Sequence, residues 1–174
     1  MEEKSIIENK IKALELELDN VKKRIDSLKS TKQDNRSKQL EDWENNNITC
    51  KSAGLKIALN DYYEIDEDED KKTEFTFDEV KDLNIDGWRL PTAKEWTQIY
   101  SEFGFDGNDV PDRDIFIKSL MLMKNAGVSG YWWSSTVYDA YHSFVLLVYH
   151  GYGVNPTSWY DRYDGVSVRL VKEI

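Results

Sequence analysis

The sequence predicts an α+β domain behind an amino-terminal coiled-coil helix, and three observations predict it. Residues 4–30 carry an apolar heptad seam; residues 50–174 mix short alternating apolar runs with two helix-start signatures; and residues 131–164 differ in composition from all that precedes them. A chain of 174 residues has room for one core plus an extension. Its 40% hydrophobic and 13% aromatic content is enough for a packed interior despite 32% charged residues.

In the seam, Ile7, Leu14, Val21 and Leu28 recur at one seven-residue spacing, and Ile11, Leu18 and Ile25 at the other. Flanking positions hold Glu8, Lys10, Glu15, Glu17, Lys22, Arg24 and Lys29, charges of both signs suited to pairing between helices. Residues 1–32 are therefore read as a coiled-coil oligomerisation helix, associating through residues 4–30 into a homo-oligomer, with a trimer favoured. The alternative is one amphipathic helix lying on its own domain. A helix this long is marginal without a partner, and its stripe is narrow, which favours the coiled coil.

From Ser30 to Asn47 the chain turns polar, with Gln33-Asp34-Asn35-Arg36-Ser37 and Asn45-Asn46-Asn47. Residues 33–49 are read as a linker in which the helix frays, and the domain is placed at 50–174. Leu55, Ile57 and Leu59 alternate with Lys56 and Ala58 as in a strand with one buried face. The acidic run Asp66–Asp70 is read as a solvated loop, because an EF-hand would need glycine where Lys71 stands and glutamate where Phe77 stands.

Thr76-Phe77-Asp78-Glu79 and Thr92-Ala93-Lys94-Glu95 are capping boxes, each opening a helix. The second helix is expected to run to about Phe103 and stop at Gly104, with Trp96, Ile99, Tyr100 and Phe103 on its core face. Residues 106–114 read as a loop of turn formers and carboxylates, where a structural cation stays an open question. Residues 115–125 read as a short helix, and Gly127 and Gly130 lead into the last segment.

Seven of the ten tyrosines, three of the six tryptophans and both histidines fall within 131–164, so this segment is where a specialised surface is expected. Tyr138-Asp139, Tyr141-His142, Tyr149-His150 and Tyr163-Asp164 cannot all point inward from strands or turns. Phe144, Leu146 and Val148 alternate with Val145, Leu147 and Tyr149; the first triplet is assigned to the core and the second to an outer face. Exposed Tyr and Trp beside Ser, Asp and His is the chemistry of antibody paratopes, in which rigid rings supply contact area at small entropic cost. The candidate ligand-binding set is those four pairs with Val145 and Leu147, joined by Tyr152, Thr157, Ser158, Trp159, Tyr160 and Asp161. The rival reading is structural assembly, with the same aromatics buried between subunits.

Other function classes are disfavoured. A net charge of −10 opposes phosphate-backbone binding, so no nucleic acid is expected. Cys50 is the single cysteine, which excludes an intrachain disulfide and a thiolate metal cluster. The start Met1-Glu2-Glu3-Lys4 lacks the features of a secretory signal, and no apolar run is long enough for membrane insertion. His142 and His150 have no evident nucleophile and base companions, so neither catalysis nor a cofactor nor a metal is expected.

Three motifs then stand together: Gly87-Trp88-Arg89-Leu90-Pro91-Thr92 with Glu95-Trp96, Tyr131-Trp132-Trp133-Ser134-Ser135-Thr136, and Ser167-Val168-Arg169-Leu170-Val171. In this order they resemble the C-type-lectin-fold domains related to formylglycine-generating enzymes, over about residues 50–174. Within that group the chain resembles the variable proteins of diversity-generating retroelements, with a variable region of about 131–164. An Asn codon AAY randomised at both adenines yields Tyr, Asp, His, Ser, Thr, Ala, Val, Leu or Phe, the residues that fill the paired positions; Trp159 needs another adenine-bearing codon.

The resemblance implies pairing of the first and last strands, Leu55–Leu59 with Ser167–Val171, and variable residues on a sheet face and adjoining loops. It implies a receptor-recognition protein for phage or cell-surface attachment, located on a virion (phage tail) or cell surface, whose partner is a protein or glycan. Formylglycine generation needs cysteines beyond Cys50, and calcium-dependent sugar binding needs Glu-Pro-Asn or Gln-Pro-Asp where this chain has Val154-Asn155-Pro156; both activities are rejected.

Overall fold

The computed structural model describes residues 2–65, 70–102, 129–149 and 153–174. The acidic run at 66–69, the loop at 106–114, the helix expected at 115–125 and the stop at Gly104 lie outside them. The chain divides into two compact units, 1–37 and 38–174.

Helix α1 spans Glu2–Asn45. Within the first unit Ile7, Ile11, Leu14, Leu18, Val21 and Ile25 are each between 44% and 63% exposed, so the seam of a single chain lies open to water. The helix also overturns the linker assigned to 33–49: it continues to Asn45, and β1 (Asn47–Cys50) follows. Thr31 and Ser37 point their hydroxyls back at the carbonyls of Ser27 (3.1 Å) and Gln33 (3.0 Å), so polar residues here are absorbed by the helix they were expected to fray. The Asn47 side-chain amide donates to the carbonyls of Trp43 and Glu44, both at 2.9 Å, and closes the helix end.

The last turns of α1 belong to the second unit, which therefore begins at residue 38 and not at 50. Trp43 is buried against Tyr62 and Trp88, and Gln39 exchanges two hydrogen bonds with the Tyr63 backbone, at 2.9 and 3.1 Å.

The second unit is α+β. Its first sheet has the order β1, β2 (Leu55–Ala58), β12 (Val171–Glu173), β7 (Trp88–Arg89), β6 (Asn84–Ile85). The second has the order β10 (Gly153–Asp161), β9 (His142–Tyr149), β8 (Ser129–Val137), β11 (Val166–Ser167), β5 (Glu74–Phe75). A ribbon of β3 (Glu64–Ile65) and β4 (Lys71–Lys72) and the helices α2 (Phe77–Val80) and α3 (Ala93–Glu102) complete the described elements. The expected pairing of early and late strands holds with a shifted register: Ile57 faces Val171, Ala58 donates to the Leu170 carbonyl, and Val166–Ser167 leaves for the other sheet.

The starts of α2 and α3 have a visible cause. The Glu95 carboxylate accepts the Thr92 N–H (2.7 Å) while the Thr92 hydroxyl accepts the Glu95 N–H (3.1 Å). The same carboxylate meets the Arg89 guanidinium as a two-pronged pair at 2.7 and 3.0 Å. Burial pushes the Glu95 carboxyl up, and the bonds from Arg89 and Thr92 outweigh it, leaving the group below its ordinary value. At the other box, Glu79 accepts the Thr76 N–H at 2.8 Å. Asp86 and Gly87, both at positive φ, make the two-residue turn between β6 and β7.

Among the described residues two apolar clusters form the core, and the sheet of long strands separates them. Trp133, Val145, Phe77, Trp88 and Trp43 belong to one; Trp132, Leu146, Val148, Trp96 and Ile57 belong to the other. Trp96, Ile99 and Tyr100 bury the face of α3 assigned to them. Arg169, 1% exposed, is held by Asp61 at 2.7 and 2.8 Å, and Asp61 also accepts the Trp132 indole N–H at 3.0 Å.

At the end of α3, Glu102 accepts the N–H groups of Lys51 (3.0 Å) and Ser52 (2.7 Å) and the Cys50 thiol (3.0 Å). Hydrogen bonds from Ser52 lead the causes that lower its carboxyl from 4.5 to about 2. A depressed carboxyl contributes stability in full above its unfolded value and loses it as pH falls through the folded one. The melting-temperature gap between wild type and Glu102→Gln is therefore expected to be widest above about pH 4.5 and to close toward pH 2, read by circular dichroism. A gap independent of pH would refute this assignment.

Candidate functional site

The site is built where β8 turns into β9 and where β10 leaves the sheet. In the first turn the Asp139 carboxylate accepts the N–H groups of Tyr141 and His142, both at 2.8 Å, and takes the His142 Nδ1 at 2.9 Å. Such a side chain replaces a backbone turn bond and pins the loop. The His142 bond leads the causes that hold the Asp139 carboxyl below its ordinary value. The turn presents Tyr138 and Tyr141 at 52% and 66% exposure.

Register decides what meets these rings. Trp159 lies opposite Phe144, and Asp161 opposite His142. Opposed residues in an antiparallel pair share a face, so these four stand together. Tyr138 stacks on Trp159 with centroids 5.9 Å apart and planes 10° apart. Phe144 meets Tyr138 edge-on at 5.2 Å, and His142 meets Trp159 at 4.6 Å. Trp159 remains 51% exposed.

The second turn is tied to the first. Arg162 donates its backbone N–H to the Tyr141 carbonyl (2.9 Å), and its guanidinium reaches Asp78 (2.7 Å) across the Phe77 ring. Asp161 accepts the Tyr163 N–H at 2.9 Å, leaving the Tyr163 ring 75% exposed and Asp161 and Asp164 open to solvent.

The outer row assigned to Val145, Leu147 and Tyr149 requires correction. Val145 is fully buried, opposite Trp133 on one side and Ser158 on the other. Its neighbours Leu146 and Val148 are buried in the second cluster. The middle of β9 is thus covered on both faces, a situation in which Phe-Val-Leu-Leu-Val reads as one apolar run and alternation loses its meaning. Leu147 is half-buried, opposite Tyr131 and Asn155. Phe144, assigned to the core, is half-buried and joins the exposed rings.

Of the remaining candidates, Thr157 is exposed, while Ser158 is half-buried. Tyr160 is half-buried too, packed against Tyr131 at 4.9 Å; burial first, then Tyr131, raises its hydroxyl above the ordinary value. It supports the patch from behind. His150, Tyr152 and the side chain of Tyr149 lie outside the described residues.

Phe144 and Arg162 are the members that sequence reading missed. Pairing Phe144 with Trp159 depends on a register shift between Asn155 and Ser158, next to Pro156 on an edge strand, where a missing N–H is tolerated. The Arg162 contact with Asp78 spans 84 residues, and nothing local announces it.

Away from the patch, a polar cavity of about 500 Å³ is lined by Asp42, Asn60, Asp61, Tyr63, Lys71 and Ser167, its Asp61 already engaged by Arg169. Among the described residues, no group of three or more His, Cys, Asp or Glu side chains is placed to hold a metal ion, and no helix is long and apolar enough to cross a membrane. No known family matches this chain, and no curated protein matches it at a significant level.

Proposed function

We propose that this chain is a non-catalytic recognition protein. It has a C-type-lectin-like domain whose face at residues 138–164 contacts a partner, of a kind diversified by a retroelement and used for phage or cell-surface attachment. A coiled coil through residues 4–30, trimeric by preference, displays several copies of the domain, and the reading involves no cofactor. The observation that carries it is the exposure of Tyr138, Tyr141, Trp159 and Tyr163, each more than half open, on turns held by Asp139 and Arg162. Rings fixed before binding lose little entropy on contact.

Combined replacement of Tyr138, Tyr141, Trp159 and Tyr163 by alanine is the test. Exposed substitutions cost about 0.5 kcal/mol or less each, and losing the Tyr138–Trp159 stack adds about 1 kcal/mol. The expected variant therefore stays folded by near-ultraviolet circular dichroism and no longer adsorbs to the cells that the wild-type chain decorates. Undiminished adsorption by the folded variant would dismiss this face as the contact site. Retained adsorption with a reduced oligomer mass would favour the rival, in which the rings join subunits.

The diversification part has its own check in the flanking DNA. The expected finding is a near-identical repeat of the stretch coding for residues 131–164, differing mainly at adenines, beside a reverse transcriptase gene. A neighbourhood without one removes diversification and leaves recognition standing.

A further inference from the structure

The charge of this protein is unevenly placed. Residues 1–37 hold nine Lys and Arg against eight Asp and Glu, a net +1, so the negative charge resides in residues 38–174, whose 14 basic and 25 acidic side chains give −11. Around the exposed rings the imbalance is local. The only Lys or Arg between 131 and 164 is Arg162, and its guanidinium is engaged by Asp78 at 2.7 Å over the Phe77 ring and by the Ala140 carbonyl at 3.5 Å. Asp161 shares the face of Trp159, two residues along the same strand, and Asp139 sits beside His142 at its rim.

Resting on the recognition reading above, we propose that the patch takes a basic side chain, arginine foremost, presented by a protein partner whose contact surface is basic. A guanidinium is planar and weakly hydrated, stacks on Trp or Tyr rings, and meets a carboxylate with its N–H fork. Trp159 and Asp161, roughly 7 Å apart along an extended strand, are spaced for one guanidinium to use both. Asp161 spends one carboxylate oxygen on the Tyr163 N–H, which orients the group without neutralising it. Phosphate-bearing or carboxylate-bearing polysaccharides meet the opposite situation, since the acidic domain repels them and, among the described residues of the patch, the one cation, Arg162, is already paired with Asp78.

The test uses the full chain labelled with 5-fluorotryptophan, whose six tryptophans give six fluorine resonances; Trp159→Phe identifies the one from Trp159. The probes are acetyl-Gly-Arg-Gly-amide, acetyl-Gly-Glu-Gly-amide, methyl α-mannoside and N-acetylglucosamine. The arginine peptide is expected to shift the Trp159 resonance saturably, with a Kd on the order of 10 mM, while the buried Trp133 and Trp96 resonances stay in place. Asp161→Asn, which keeps the oxygen that accepts from Tyr163, is expected to weaken this about two- to five-fold, and raised salt to weaken it further. A sugar or the glutamate peptide shifting Trp159 as strongly would overturn the basic-partner proposal and leave recognition intact. Silence toward the arginine peptide would also overturn it, and the cell-adsorption experiment then decides recognition separately.

Discussion

Asp61→Ala is expected to destabilise the domain by about 3 kcal/mol, the lower end of what removing one partner of a buried ion pair costs. Arg169 keeps only 1% of its surface, whereas the Asp61 side chain keeps 18%, and this partial access to water holds the figure down. Burial acts against the charged Arg169, and the Asp61 carboxylate opposes that effect. Removing it also frees the Trp132 indole N–H, at the strand beside β9, from its 3.0 Å acceptor. A domain of this size has roughly 5–15 kcal/mol in total, so the midpoint should fall by roughly 10 °C. The double variant Asp61→Leu/Arg169→Met is expected to regain most of the loss, because replacing both charges by apolar groups leaves neither stranded. Thermal melts of the two variants beside wild type check this; an Asp61→Ala midpoint within 2 °C of wild type would show that the pair is dispensable.

That pair also shows which parts of the fold were legible in the sequence. Local signals worked where their cause is local: the Thr92–Glu95 box spans only four residues, and the apolar face of α3 needs only its 3.6-residue period. Alternation worked for Leu55 and Ile57, whose strand carries Lys56 between them. It failed on β9, because packing on both faces abolishes the polar half of the pattern. It failed again at residues 33–45, where composition argued for a linker while Trp43 and Gln39, anchored to residues 62 and 63, kept the helix intact. In the candidate site, the aromatic excess marked a segment expected to face solvent, and Tyr138, Tyr141, Trp159 and Tyr163 are each more than half exposed. The assignment of Val145 to that surface erred because cross-strand register, bulge included, is a property of two strands at once.

Glutamate at Leu14 and Leu18 is expected to have the largest effect on attachment while leaving the domain itself unchanged. Both residues lie in the seam and are more than half exposed in a single chain, so under the proposed coiled coil their cost is expected to fall on association between helices. The core of the second unit draws its buried side chains from residue 39 onward, so its melting midpoint should stay within a degree or two of wild type. Sedimentation is expected to report a monomer in place of the oligomer. Loss of multivalency removes the effective concentration that tethering supplies, and cell attachment should weaken by about 10²–10⁴ although each patch keeps its own affinity. The fluorine titration measures that affinity directly and should return the wild-type value. If the variant sediments with the wild-type mass, the seam is not the contact between copies; if its midpoint falls with the mass unchanged, the stripe serves its own domain instead. Either outcome would count against the proposed stalk alone, because the contact proposed for Tyr138, Trp159 and Asp161 is measured separately by the fluorine titration.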